Sequence, residues 1–323
     1  MYAVKMVEYV AFMYLRSLSF NQVIAILGAY YEQDVFTKDR LIDHIEQLAD
    51  RMPENEQISR WLKPKRSGYY ALDGTWLKYR GRDIVLLILF DVCTLDIVSY
   101  CIARDETEET YTKLINLAWS EIADSTKGFY CDGDPGLLKV IKARFRNTPI
   151  QLCVFHKYQR VHQLVPFVRP KTQLDKEIKE RVGQVLFAET KEIAITKLHG
   201  LKQFAKEHQD YKKLQEVIGV LKRNFDLLLT HFDHPEMTPY NNVLEGFNHV
   251  IKRRTRLMKG FKKPINIKRW LKLIILDWRF HPLKESSFKD RRNLSPLQLA
   301  EVPLPKKIYN WLSYVIKNYK LAT

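Results

Sequence analysis

The segment that most constrains the fold is DIVLLILFDVCT, residues 83–94, which is almost continuously apolar in its first eight positions. A run of this kind suits a strand that is buried on both faces of a sheet, because no polar face alternates with the apolar one. Such a strand must be covered on both sides. The sequence therefore predicts an α/β fold with helices on both faces of a sheet.

The segments around this run predict the order of the remaining elements. YYALDGTWLKY before it and DIVSYCIARDET after it are rich in β-forming residues, and EETYTKLINLAWSEIADS has helical spacing. KGFYCDGD then indicates a strand and a turn, GLLKVIKARFRN a helix, and PIQLCVFHKYQRV a strand that leads into a helix. Three strands, a helix, a strand, a helix and a strand is the order of the ribonuclease-H-like fold with its mixed sheet, although other mixed α/β domains share it.

The regions outside this core are predicted to be mainly helical. Helical spacing extends through the N-terminal region, where Thr37 can cap the last helix. Pro53, Pro64 and Gly68 indicate a linker. The N-terminal helices form either a helix-turn-helix that binds DNA or a helical bracket packed on the main domain. The predicted boundaries are an N-terminal helical region 1–52, a linker 53–68, the first part of the core 69–170, an all-helical insertion 171–236, the last part of the core 237–281 and a C-terminal helical tail 282–323.

The charge of the chain favours a polyanionic partner. Its 53 Lys and Arg against 37 Asp and Glu give a formal net charge of +16. Nucleic acid is the default partner for such a surplus, although other basic proteins and proteins that bind anionic membranes share the property.

Cysteine usage and the N-terminus predict where the protein resides. Its four cysteines form no Cys-x-x-Cys pair, which is typical of free thiols in a reducing compartment and offers no four-ligand zinc site. Lys5, Glu8 and Arg16 interrupt the apolar N-terminus, which therefore predicts neither a signal peptide nor a membrane span. We expect a soluble protein of the cytoplasm that makes no membrane contact.

Three carboxylates are candidates for chemistry. Asp73 and Asp132 each follow an apolar run at an expected strand end and precede a glycine, a pattern that suits a metal ligand but also occurs in ordinary turns. Glu245 stands three residues after Asn242, which can cap a helix, so the two can form a capping box. A cap would also fix the direction of the Glu245 carboxylate, so both roles can hold together.

Three converging carboxylates suit two-metal phosphodiester chemistry. One ion activates the attacking oxygen and the other stabilises the leaving oxygen, at a separation of about 3.5–4 Å. Mg²⁺ takes carboxylate ligands alongside water and phosphate oxygens. The predicted cofactor is a pair of Mg²⁺ or Mn²⁺ ions held by Asp73, Asp132 and Glu245. Asp134 and Asp91 are spare carboxylates, and Asp134 could take the place of Asp132.

Residues 68–260 carry a more specific signal. The segments LDGTW, CDGDPGLLKVIKARFRNTPIQLCVFH and NNVLEGFNHVIKRR resemble the catalytic signatures of Mutator-like transposases and related bacterial insertion-sequence transposases. The resemblance carries over to Asp73, Asp132, the Gln151/Cys153/His156 segment, and Asn242 with Glu245. It implies a ribonuclease-H-like core, a divalent metal, hydrolytic cutting of transposon ends and joining of the freed 3′-hydroxyl to target DNA.

Cys153 and His156 have two interpretations. A Cys-x-x-His pair could donate to zinc, but a buried thiol beside a packed histidine is the more frequent arrangement. The resemblance implies that His156 lies near the active site, where it contacts a DNA phosphate or orients a carboxylate. We therefore assign Cys153, His156 and Asn242 supporting roles.

The predicted DNA surface follows Glu245. Residues 246–276 contain ten Lys and Arg and no Asp or Glu. A solvated basic helix is the usual interpretation of such a run, but the absence of acids here favours phosphate contacts. The predicted DNA-binding residues are Lys252, Arg253, Arg254, Arg256, Lys259, Lys262 and Lys263, with Lys268, Arg269 and Lys272 in the same run.

The resemblance also implies partners. These are double-stranded DNA, as transposon ends and as target, and a second copy of the chain, because two ends must be brought together. Many relatives begin with a further DNA-recognition module, so end recognition would fall on residues 1–50 unless the chain is a shortened copy. It would act at the nucleoid of a prokaryote. The competing functions are a transposase-derived DNA-binding protein without catalysis and a structure-specific nuclease on the same fold.

Overall fold

The computed structural model describes residues 4–257, 261, 264–284, 286 and 288–322. The chain divides into two compact units. The first unit comprises residues 1–68, 72–125 and 243–323, and the second comprises residues 69–71 and 126–242. None of the helices in the described ranges is both long and apolar enough to cross a lipid bilayer.

Five strands and the helices between them follow the predicted order. The strands are β1 Tyr69–Tyr79, β2 Arg82–Asp91, β3 Ile97–Ala103, β4 Gly128–Cys131 and β5 Ile150–Leu152. The helices before and between them are α1 Val4–Leu15, α2 Phe20–Tyr31, α3 Lys38–Arg51, α4 Asn55–Leu62, α5 Glu108–Ile122 and α6 Pro135–Arg144. The helices after β5 are α7 Val154–Leu164, α8 Gln173–Leu186, α9 Lys191–Glu207, α10 Lys212–Lys222, α11 Phe225–Leu228, α12 Thr230–Asp233, α13 Asn242–Leu257, α14 Pro264–Phe280, α15 Pro296–Leu299 and α16 Trp311–Ala322.

The described strands form one five-stranded mixed sheet in the order β3-β2-β1-β4-β5. β2 pairs antiparallel with β3, whereas β4 is parallel to both β1 and β5. A two-residue turn joins β1 to β2, and both of its residues, Arg80 and Gly81, have positive φ (49° and 76°). This is the conformation that a tight hairpin requires. The mixed α/β fold is therefore confirmed.

The apolar run is the centre of the first unit, as predicted. Residues 85–90 of β2 are fully buried. Ser99 Oγ of β3 donates to the Leu114 carbonyl of α5, and Phe90 of β2 contacts Phe247 of α13 and Trp278 of α14.

The N-terminal helices are confirmed, but the predicted linker contains a helix. Thr37 Oγ1 accepts from the Arg40 amide and caps α3, as expected. The expectation that helical structure stops at residue 53 is wrong, because α4 occupies residues 55–62. Pro53 and Pro64 lie just outside the two ends of this helix, where proline is well tolerated. Buried Ile58 anchors it.

The second unit contains the start of β1, strands β4 and β5, and helices α6 to α12. Within the described part of residues 171–236 there are helices and no strand, as predicted. The side chains of Ile178, Val182 and Val185 on α8, and of Leu214 and Val217 on α10, are buried at helical spacing.

A buried ion network fixes the first unit. Arg279 of α14 donates from Nε to Asp96 Oδ1 (2.8 Å) and from Nη2 to Asp96 Oδ2 (2.9 Å), and both side chains are fully buried. Arg66 donates to the same carboxylate (2.7 Å) and also pairs with Glu121. Burial acts to raise the pKa of Asp96, but the guanidinium groups of Arg279 and Arg66 outweigh burial and hold that pKa below its ordinary value.

Replacing Asp96 by Asn should be strongly destabilising. The substitution keeps the shape but leaves the buried guanidinium of Arg279 without an anion and removes one of the two anionic partners of Arg66, which costs about 3–5 kcal/mol. Urea unfolding at pH 7 measures the loss. The exposed Lys65–Glu301 pair is the control, and Glu301→Gln should cost less than about 1 kcal/mol. Because the folded-state pKa of Asp96 is lowered, its stabilisation should be present above pH ~4 and should be lost as the pH falls through that folded pKa.

Candidate active site

Asp73 lies within β1, and both of its carboxylate oxygens accept hydrogen bonds. Its Oδ1 accepts from the Gly74 amide (2.8 Å), and its Oδ2 accepts from Asn248 Nδ2 (2.8 Å). β1 continues to Tyr79, so Asp73 is inside the strand and not at its end as predicted.

Asn248 connects Asp73 to the helix that carries Glu245. The two residues are three positions apart on α13, a spacing that places them on the same side of a helix. Within the first unit, therefore, β1 and this side of α13 meet at Asp73. Sequence reasoning did not single out Asn248, although its spacing from Glu245 was a usable signal.

The start of α13 differs by one residue from the prediction. Asn242 is the first helical residue, so the capping position falls on Asn241. Asn242 and Glu245 therefore do not occupy the two positions that a capping box requires. Asn241 is buried, and no described residue makes a hydrogen bond to its Oδ1. Glu245 is half-buried in the first helical turn.

Asp132 follows β4 in the second unit and is exposed. Its Oδ1 accepts from the Asp134 amide (3.0 Å). Gly133 between them has φ 94°, a conformation that glycine adopts without strain. In the pairing of β1 with β4, Ala71 stands opposite Tyr130. Asp73 and Asp132 come two residues after Ala71 and Tyr130, respectively.

The two spare carboxylates have structural roles. Asp134 is the N-cap of α6, and its side chain accepts from the Leu137 amide (2.9 Å). Asp91 is fully buried and accepts four hydrogen bonds, from the Ser67 amide and hydroxyl and from the amides of Cys93 and Thr94. These bonds favour Asp132 over Asp134 and Asp91 as a metal ligand.

Cys153 and His156 contact each other at the start of α7. Cys153 is buried immediately before the helix, and His156 is half-buried. Burial acts to raise the pKa of the Cys153 thiol, but hydrogen bonds from the side chain and backbone of His156 outweigh it and the pKa is lowered. His156 and Asp132 line the same cavity of the second unit.

Gln151 has a structural role in the segment that also contains Cys153 and His156. Its side chain is fully buried in β5, where Nε2 donates to the Leu228 carbonyl (3.0 Å) and Oε1 accepts from the His231 amide (2.7 Å). These bonds attach α11 and α12, at the end of the helical insertion, to the edge of the sheet.

The predicted DNA-binding residues separate into three groups. Lys252, Arg253 and Arg256 are exposed on α13. The assignment of Arg254 is wrong, because its side chain is buried and its Nη1 donates to the Tyr14 carbonyl (3.1 Å) and to Ser17 Oγ (2.7 Å). Its guanidinium thus binds the C-terminal end of α1. Three residues lie outside the described part of the chain: Lys259, Lys262 and Lys263.

Two further residues of the basic run on α14 are also engaged. Arg269 pairs with Asp50 and Glu46 of α3. Lys272 is buried and donates to the Met52 carbonyl and to Glu54. These contacts attach α14 to the N-terminal helices, and only Lys268 of the three residues predicted here remains exposed.

The Gln151→Met variant should loosen the attachment of α11 and α12. It keeps the volume of the side chain but leaves the His231 amide without its partner and the Leu228 carbonyl with only the His231 ring, at a cost of about 1–3 kcal/mol for the unpaired amide. Hydrogen–deuterium exchange should accelerate at residues 228–231. Gln203→Met, an exposed site on α9, is the control and should leave exchange unchanged. Equal exchange in the two variants would show that Gln151 does not hold this segment.

Comparison with known proteins extends these observations. The family model of the Mutator family transposases matches residues 3–281. The transposase for insertion sequence element IS1201 of Lactobacillus helveticus is 26% identical over 165 residues, which are 50% of this chain and 42% of that protein. The match therefore spans less than half the length of this curated relative.

A solved structure is also similar in part. The HTLV-2 integrase catalytic core domain in complex with magnesium matches 38% of this chain and 87% of that domain, with 12% identity and a TM-score of 0.22. The family is established by the match over residues 3–281, which includes every residue of the candidate site. The chain belongs to the Mutator family of transposases.

Proposed function

We propose that this chain is a DDE-type transposase that cuts DNA at transposon ends and joins the freed strand to target DNA. Asp73, Asp132 and Glu245 would hold two Mg²⁺ or Mn²⁺ ions. The observation that carries the proposal is the Asn248–Asp73 hydrogen bond, which brings the first aspartate to the side of α13 that bears Glu245. The inclusion of Asp132 is supported by the family match, which covers residues 3–281, and by its exposed carboxylate beyond β4.

The donor set fits hard divalent ions. Carboxylate oxygens are preferred by Mg²⁺, and Asp132 Oδ2 has no hydrogen-bond partner among the described residues. When bound, the ions would activate the attacking oxygen and stabilise the leaving oxygen of a phosphodiester. The residues of this chain would hold the carboxylates in place: Asn248 fixes the direction of Asp73, and Gly133 allows the turn that places Asp132 beyond β4.

The ribonuclease-H-like assignment, with helices on both faces of the sheet, belongs to this proposal. The order of strands and helices from β1 to β5 is the predicted one. The contacts of Ser99 with α5, and of Phe90 with α13 and α14, support helical cover on more than one side of β2 and β3.

Double-stranded DNA would be bound mainly outside the N-terminal helices. Residues 1–52 contain five Lys or Arg and seven Asp or Glu, so this region is net acidic in a chain of +16. Its Asp50 and Glu46 pair with Arg269 of α14. These facts favour the helical bracket over the helix-turn-helix. Lys252, Arg253 and Arg256 remain as phosphate contacts. Because two transposon ends must be joined, we expect a homodimer or a larger assembly.

Replacing Asp132 by Asn should abolish cutting without abolishing DNA binding. Loss of a ligand removes charge stabilisation worth several kcal/mol, which is more than about a hundredfold in rate. The assay is Mg²⁺- or Mn²⁺-dependent nicking and strand transfer on a plasmid that carries the sequences flanking the gene.

The matched control for this prediction is Asp134→Asn. It removes the same charge two residues away, and Asn still caps a helix, so cutting should stay within a few-fold of the wild type. If the Asp132 and Asp134 variants cut equally well, Asp132 has no place in the mechanism. Binding without cutting by the wild type would favour the non-catalytic DNA-binding protein, whereas cutting without strand transfer would favour the nuclease.

The Asn248→Ala variant should weaken metal use without unfolding the protein. Loss of a residue that orients a ligand costs about 10–100-fold in metal affinity or activity. The measurement is the cutting rate as a function of Mn²⁺ concentration, and the half-saturating concentration should rise. His249→Ala, an exposed neighbour on α13, is the control. An unchanged Mn²⁺ dependence in Asn248→Ala would exclude a positioning role.

A further inference from the structure

The second unit contains a cavity beside Asp132. Its volume is about 320 Å³, at the lower end of the ~300–1,000 Å³ range of ligand pockets. A cavity of this volume is too small for a DNA duplex. The lining comes from the turn after β4 and the start of α6, from α7 and from the end of α10, and it includes Asp132, Asp134, Lys157, Arg160 and Arg223.

A lysine joins two of these walls. Lys157 Nζ of α7 donates to the carbonyls of Val220 (3.1 Å) and Arg223 (3.0 Å) at the C-terminal end of α10. A lysine at this position satisfies helix carbonyls that lack partners within the helix. The bonds hold the backbone of Arg223 against α7. Arg223 thereby lines the same cavity as Arg160.

The three basic groups are close enough to repel one another. Burial, together with the neighbouring charges of Arg223 and Arg160, lowers the pKa of Lys157 to about 8. Neither arginine forms an ion pair within the described part of the chain, in contrast to Arg66 and Arg279. Such an arrangement is unfavourable in the free protein and becomes favourable when an anion binds between the charges.

The acids of the cavity do not neutralise the arginines through any ion pair of the described residues. Asp134 is engaged as the cap of α6, and Asp132 is the proposed metal ligand. An anion that occupies the cavity must therefore extend from Arg160 and Arg223 to Asp132, the proposed metal ligand. A DNA strand does so, because its phosphates repeat along a continuous backbone. Arginine is well suited to it, since its planar group binds phosphate oxygens in pairs.

We propose that Arg160 and Arg223 bind the backbone phosphates of the DNA strand that is cut at Asp132, and that Lys157 positions Arg223. The inference rests on the proposed function, which identifies Asp132 as the place of cutting. It gives the helical insertion a role, because α10 supplies one wall of the cavity and one of its two arginines. The ligand class is a single strand of phosphodiester backbone.

The test is DNA binding by the full chain in an Asp132→Asn background, so that no cutting interferes. The probe is a fluorescently labelled duplex with a single-stranded tail, read by anisotropy over a series of salt concentrations. The double variant Arg160→Ala/Arg223→Ala should bind about ten- to hundredfold more weakly. The slope of log affinity against log salt should fall by about 1.4–1.8, because two phosphate contacts are lost.

The matched control removes two charges elsewhere in the same unit. Lys179→Ala/Lys213→Ala changes exposed residues of α8 and α10 that do not line the cavity, and its slope should match that of the parent. Arg160→Lys/Arg223→Lys keeps both charges and should keep the slope. If the double alanine variant does not fold, Arg160→Gln/Arg223→Gln, which removes both charges and keeps most of the side-chain length, should lower the slope by the same amount, and an unchanged slope would overturn the proposal.

Two outcomes would overturn the proposal. One is equal DNA binding by Arg160→Ala/Arg223→Ala and by the control Lys179→Ala/Lys213→Ala. The other is weaker binding of inorganic phosphate, titrated at constant ionic strength, with unchanged binding of DNA, because the cavity would then be a site for a free anion. Failure of the wild type to cut DNA would overturn the proposed function alone, since this binding measurement involves no cutting.

Discussion

The candidate site depends on how α13 is fixed, because this helix carries both Glu245 and the side chain that holds Asp73. Leu244, Phe247 and Ile251 are buried along one stripe of the helix. This stripe fixes the rotation of α13 about its axis. Asn248 then lies beside the stripe, and its bond to Asp73 joins residues 175 positions apart in the sequence. Apolar packing thus sets the direction of the polar groups.

Hydrogen bonding distinguishes the candidate carboxylates better than sequence context does. Asp91, Asp132 and Asp134 all follow predicted strands, and in the sequence only the family resemblance favours Asp132 over the other two. In the structure Asp91 accepts four bonds and Asp134 caps a helix, whereas Asp132 is exposed with one oxygen bonded to the Asp134 amide. A metal ligand needs free lone pairs, and this need separates Asp132 from its neighbours.

The sequence predicted the order of elements because strand and helix periods are local properties. The sequence-based predictions were wrong where the role of a side chain depends on its tertiary contacts. Arg254 was assigned to the DNA surface from its place in a basic run, yet it follows Phe247 and Ile251 at helical spacing and continues their buried stripe. That spacing was visible in the sequence. Helix α4 was not predicted because Pro53 and Pro64 were interpreted as signs of a linker. They lie just outside the two ends of this short helix. The partners of Gln151 lie 77 and 80 residues away, a separation at which local pattern carries no information.

The basic residues of the chain have two different uses: some form ion pairs within the protein, and others can bind DNA. Residues 1–52 are net acidic, and two of their carboxylates, Asp50 and Glu46, pair with Arg269 of α14. Basic residues that pair with protein acids cannot also release counterions from DNA, so the net charge overstates the surface available to a phosphate backbone. The groups that remain unpaired are therefore more informative than the total. Arg160 and Arg223 form no ion pair with any residue that the structure describes. Both line one cavity with Asp132, so their charge is concentrated at this site.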